Sequence, residues 1–217
     1  MKANGGILAE LARSVRANWP LKLLLLVSLN AFVSGLYFYN QHHVARPVHE
    51  MGLTFLDRAV PFRSCFVLLY ESLYVMMPIA PFLMARKRPL LKYGAGIALL
   101  GTVANCFFHF LPTACPRPSS EGTCAPYKML VSVERPLNAC PSLHAAMAVY
   151  TALGFEIVFR ELGLSRWWRL PVWAWSAAIL YATMATKQHV VWDLAAGSAL
   201  GAAAWALMFV VIGERKR

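Results

Sequence analysis

Charge is what this chain of 217 residues has least of: Asp and Glu number 10, and charged residues of both signs make up only 14%. Combined with 59% hydrophobic residues and a mean hydropathy of +0.51, that scarcity argues against an ordinary soluble domain and for the membrane class. No basic face carries interleaved aromatics of the RNA-binding kind, so the net charge of +11 is read as membrane topology and not as a nucleic-acid partner. No Cys-x-x-Cys pair occurs among the five cysteines, which weakens the case for zinc, although Cys115, Cys124, Cys140 and a nearby histidine remain a conceivable ligand set. Internal repeats, low-complexity tracts and domain-separating linkers are also missing. The chain therefore reads as one integral membrane domain, 1–217.

A spanning helix needs about 20 mostly apolar residues. Six segments approach or reach that length, at 21–39, 62–84, 93–111, 143–159, 171–186 and 190–212, which predicts an all-α, polytopic fold with six transmembrane helices. Basic residues occupy alternate connections: Lys2, Arg13 and Arg16 in a basic stretch at 1–20; Arg86, Lys87, Arg88 and Lys92; Arg160, Arg166 and Arg169; and Arg215, Lys216 and Arg217. By the positive-inside rule both termini are cytoplasmic. The connections 40–61, 112–142 and 187–190 then face the periplasm or another extracytoplasmic space across a plasma or inner membrane. The first apolar helix lacks a small-residue cleavage site and is expected to be retained. In an oxidising exterior Cys115 and Cys124 are expected to pair, with Cys140 as the alternative partner for either.

Those outer connections hold the chemistry. His189 and Asp193 are four apart at the start of an apolar run, a spacing that puts both on one helix face. His144 stands in Pro141-Ser142-Leu143-His144, where a polar loop enters another apolar run, and Lys128 precedes Arg135-Pro136 with six residues between the two cations. A phosphoester site without a metal needs fixed cations, backbone donors, a nucleophile and a proton for the departing oxygen. Lys128, Arg135 and Lys187 supply charge; Ser142 and the amide groups of the helix start supply donors. His189 is the candidate nucleophile, Asp193 orients it, and His144 is the candidate acid and base, since histidine titrates near neutral pH. No cofactor or metal is required.

Lys128-x6-Arg135-Pro136, Pro141-Ser142-x-His144 and His189-x3-Asp193 resemble the three signature motifs of the type-2 phosphatidic acid phosphatase superfamily. The third departs from the usual pattern, because Ala182 and Thr183 stand where Ser-Arg is expected. Thr186-Lys187-Gln188-His189 and Leu56-Asp57-Arg58-Ala59-Val60-Pro61-Phe62 are similar to the inositol phosphorylceramide synthase-like branch. The resemblance covers most of 50–200. It implies a membrane lipid substrate and a phosphohistidine intermediate, with hydrolysis of a lipid phosphate or polyprenyl diphosphate, or alternatively headgroup transfer to an alcohol. A catalytically silent lipid-binding protein of the same fold is the reading from another class.

Blander roles compete at each position. Ser142 alone is an N-cap, the His189–Asp193 pair alone a capping pair, and Lys128 and Arg135 alone solvated charges. Glu71 inside the second apolar segment is either a substrate-hydroxyl ligand or a neutral acid buried between helices. Asp57 and Arg58 read as flanking the second helix. Gly197 and Gly201 mark a close helix contact, within the chain by default and in a homo-oligomer as the alternative.

Overall fold

The computed structural model describes residues 6–120 and 123–212; Lys2, Arg215, Lys216 and Arg217 lie outside the described residues. An amphipathic helix α1 (Ile7–Arg16) leads into α2 (Trp19–His42). A short α3 (Phe55–Ala59) follows, then a 3-10 turn (Ser64–Phe66), α4 (Val67–Glu71) and α5 (Leu73–Leu83). Next come α6 (Lys87–Phe110), α7 (Ala125–Val133), α8 (Leu143–Leu162), α9 (Arg169–Ala185) and α10 (Val191–Ala206), which ends in a π-helical turn. Two-residue strands, β1 (His49–Glu50) and β2 (Thr113–Ala114), pair in parallel and pin the segment after α2 to the one after α6.

Among the described residues, five helical stretches are long and apolar enough to cross a membrane, namely Trp19–His42, Ser64–Leu83, Lys87–Phe110, Leu143–Leu162 and Val191–Val211. The expected crossing at 171–186 corresponds to α9, whose 17 residues span about 26 Å at 1.5 Å per residue and so fall short of a hydrocarbon core of about 30 Å. The second span is broken at Ser72, which the hydropathy pattern did not signal. There the Ser72 hydroxyl donates to the Leu69 carbonyl at 2.6 Å and accepts from the Trp175 indole at 2.9 Å.

Helix α8 is the axis of the bundle: 67% of its apolar window is buried, against 11% for α2, whose Leu24 and Val27 point outward. Small residues let α10 lie on α8. A Cβ at Gly197 would overlap the Ser142 carbonyl, and one at Gly201 the Ala146 carbonyl, so the glycine face read from sequence is used within the chain. Two polar clusters at depth are partnered, as hydrocarbon favours. Tyr150 donates to the Tyr93 carbonyl at 2.9 Å and the Tyr93 hydroxyl bonds Thr151 at 3.0 Å. Lys22, buried near the other end, donates to the C-terminal carbonyls of α1 and α5 through Ser14 (2.6 Å) and Phe82 (2.7 Å).

Candidate active site

Ser142 is fully buried and caps α8, its Oγ accepting from the Ala145 N–H at 3.2 Å. Its own N–H donates to the Asp193 carbonyl at 3.0 Å, which ties the second motif to the third. His144 follows in the first turn of α8. Its ring stacks on Tyr70 with centroids 3.9 Å apart and meets Tyr74 edge-on at 5.8 Å. Its Nε2 has no hydrogen-bond partner among the described residues.

The link between α9 and α10 is set by local bonds. The Thr183 carbonyl accepts from the Gln188 N–H at 3.0 Å and from the His189 N–H at 3.4 Å. Lys187 adopts a left-handed backbone (φ 54°), and its ammonium donates to the Asp57 and Val60 carbonyls at 2.7 and 2.6 Å. Two of the three donors of this expected phosphate ligand are therefore spent on backbone. Asp57 completes the brace: one carboxylate oxygen accepts from the Thr54 N–H (2.7 Å) and hydroxyl (2.6 Å), the other from the Val191 N–H (2.9 Å). A residue read from sequence as merely flanking thus caps both α3 and α10.

His189 stands one residue before Val190, the N-cap of α10, and not within the helix as its spacing from Asp193 suggested. The reason is that Asp193 accepts the Val190 N–H at 3.1 Å and so starts the helix there. His189 Nδ1 lies 3.5 Å from the fully buried Asp193 carboxylate, an electrostatic contact longer than a good hydrogen bond. The rings of His189 and His144 are 6.4 Å apart between centroids, a gap with room for one phosphoryl group.

The cations of the first motif stand at the rim. Lys128 is exposed on α7, and Arg135 is exposed with its guanidinium on the Gln41 carbonyl at 3.3 Å. The buried guanidinium is one the sequence reading missed, that of Arg117. Its side chain is 11% exposed, Nη1 donates to the Glu134 carbonyl at 2.7 Å, Nη2 is 4.0 Å from the Glu134 carboxylate, and Nε is buried with no partner among the described residues. Its signal was the rigid Pro116-Arg117-Pro118 run. Burial pushes the Glu134 carboxyl above its ordinary range, with Arg117 and then His189 opposing that shift.

Glu134, Tyr74 and His144 line a half-open cavity of about 90 Å³ between α2, α5, α6 and α8, whose other walls include Val33, Leu73, Met77, Ile97 and Met147. Glu71, the acid singled out from sequence, is half-buried at the end of α4 and is not in that lining, because the break at Ser72 separates it from the cavity-facing turn of α5.

The Cys115–Cys124 pair expected from sequence is not formed. Cys115 is buried with its thiol on the Lys187 carbonyl at 3.6 Å, and burial, reinforced by Asp193, pushes it up to about 12. Cys124 instead meets Cys65 thiol to thiol, where α7 folds back over the 3-10 turn and the Cys124 N–H bonds Ser64 at 3.3 Å. Mild oxidation is expected to link Cys65 to Cys124 and leave Cys115 as thiol; peptide mapping that found Cys115 in the cross-link would contradict this geometry. Among the described residues no three His, Cys, Asp or Glu converge as a metal site, so the alternative zinc set is not assembled there.

Searches of curated proteins and of solved structures gave no match. A family model described as the PAP2 superfamily matches residues 46–207, a range that holds all three motifs together with Asp57, Arg117 and Glu134, and the chain belongs to that superfamily.

Proposed function

We propose that this integral membrane protein is a lipid phosphatase that cleaves a lipid phosphate, or a polyprenyl diphosphate, through a phosphohistidine at His189. The carrying observation is that His144 lines the apolar cavity and His189 does not. In a displacement at phosphorus the leaving group departs opposite the nucleophile. With His189 as nucleophile, the leaving side is the His144 side, and that side is apolar. The leaving alcohol is therefore lipidic, and the small molecule released second is phosphate.

His189 attacks phosphorus while Asp193 holds the imidazole with its free nitrogen toward the substrate. The P–O bond to the leaving group breaks, and His144 gives its proton to the departing oxygen, that of an alkoxide for a lipid phosphate and of a polyprenyl phosphate for the diphosphate. His144 then takes a proton from water, whose oxygen attacks the phosphohistidine and frees phosphate and His189. The amide groups at the start of α8 and Arg117 supply the inner charge stabilisation, while Lys128 and Arg135 steer the anion from the rim. Lys187 contributes its field while it holds the loop, and Ser142 orients the helix start. Alternate basic clusters support an extracytoplasmic active site, a reading that takes α9 as a short sixth crossing.

Detergent-purified protein, with chelator present, is expected to release inorganic phosphate from at least one of phosphatidate, lysophosphatidate, phosphatidylglycerol phosphate and polyprenyl diphosphate. Release from none of them, beside transfer of a labelled headgroup to an alcohol, would replace hydrolysis by phosphotransfer.

A further inference from the structure

We propose that Glu134 reads a second polar group on the leaving lipid: a hydroxyl or amine close to the phosphate, donated as a hydrogen bond into the Glu134 carboxylate. The inference rests on the phosphatase reading and narrows its substrate class to lipid phosphates whose alcohol carries such a donor. A plain polyprenyl phosphate or alkyl phosphate carries none.

Glu134 sits in the wall of an otherwise mainly apolar cavity with its side chain only 11% exposed. An acid placed there without a full partner is costly and calls for a function. Arg117 is not that full partner. Its short bond, 2.7 Å, goes to the Glu134 main-chain carbonyl, whereas its distance to the carboxylate is 4.0 Å, beyond hydrogen-bond reach. Arg117 fixes the backbone of residue 134 and leaves the carboxylate of this cavity-lining residue without a hydrogen bond from the guanidinium.

The position of the acid decides what it can meet. A carboxylate repels a phosphate, so Glu134 is unsuited to the phosphoryl position itself. It shares the cavity with His144, the residue on the leaving side, where the bridging oxygen and first carbons of the lipid alcohol lie. About 90 Å³ accommodates those first carbons rather than two whole acyl tails. A neutral or cationic donor on one of them satisfies the acid; a methylene there would leave it unpaired, and sites built around a polar partner discriminate strongly against analogues that lack it.

The test compares 1-acylglycerol 3-phosphate with its 2-deoxy analogue of the same chain length, measured as kcat/KM for phosphate release by the wild-type protein and by Glu134→Ala. The wild type is expected to favour the hydroxyl-bearing substrate by about 10- to 100-fold, the effect of one buried hydrogen bond to a charged group, and Glu134→Ala to bring the ratio close to one. Equal efficiency on both substrates in the wild type, a measurement that needs no variant to fold, overturns the inference. So does a preference that survives in Glu134→Ala. Phosphate released from neither substrate, nor from any lipid of the wider panel, sinks the phosphatase reading itself and this inference with it.

Discussion

His189→Ala is expected to abolish phosphate release, by about 10⁴-fold or more, while the protein still folds and inserts. The imidazole is buried but its ring makes no hydrogen bond among the described residues, and its main-chain N–H to the Thr183 carbonyl survives the substitution. Little stability is therefore at stake. What disappears is the atom that accepts the phosphoryl group, and the remaining donors can bind a phosphate without displacing anything from it. Asp193→Asn is the graded companion. It keeps a side chain able to accept from the Val190 N–H at 3.1 Å, so α10 still starts in place, but it removes the charge 3.5 Å from His189 Nδ1. Activity in both variants, measured beside the unfolding midpoint in detergent, separates loss of chemistry from loss of fold. Retained turnover in His189→Ala, at an unchanged midpoint, would remove His189 from the reaction.

Gly197→Ala is expected to do the opposite kind of damage, lowering both stability and turnover through one methyl group. The added Cβ would overlap the Ser142 carbonyl, and backbone cannot swing aside as a flexible side chain can. Helices α8 and α10 would have to separate at the level where the Ser142 N–H meets the Asp193 carbonyl at 3.0 Å, which is the bond that sets His144 relative to His189. Overpacking of this kind costs about 1–3 kcal/mol. A displacement of about 1 Å between reacting groups costs on the order of 10²-fold in rate. Gly35→Ala is the control, since a Cβ there meets nothing within 4 Å on the outer face of α2; alanine should be neutral or slightly stabilising at that mid-helix site. If Gly197→Ala behaved like Gly35→Ala, the close contact between α8 and α10 would not be what holds the two histidines together.

The parts legible in the sequence were those written in local patterns. Long apolar runs announced five of the helices that can cross a membrane, Pro141-Ser142 announced the start of α8, and the glycines of α10 announced a close helix contact. The i, i+4 spacing related His189 to Asp193, and the resemblance of the three motifs to a known superfamily added His144, whose ring lies 6.4 Å from that of His189. What stayed hidden depends on how separated segments converge. The cavity takes its walls from four helices and one loop, so no window along the chain could nominate Glu134 over Glu71. Lys187 looked like a free cation because its partners, the Asp57 and Val60 carbonyls, lie more than 120 residues away. The same long reach turned Asp57 from a flanking charge into a cap for α10. Cys124 was matched with Cys115 on nearness in sequence, whereas the fold of α7 brings it to Cys65. The break at Ser72 escaped notice because hydropathy does not change there.

The central claim is that a phosphoryl group resides on His189 between the departure of the lipid and the arrival of water. Rapid quench of the protein with lipid substrate labelled at phosphorus, followed by peptide mapping under alkaline conditions that preserve phosphohistidine, tests it most directly. The account predicts acid-labile, base-stable label on the peptide containing His189 and none in His189→Ala. Label on another residue, or steady phosphate release by the wild type with His189 never labelled at any quench time, would contradict it.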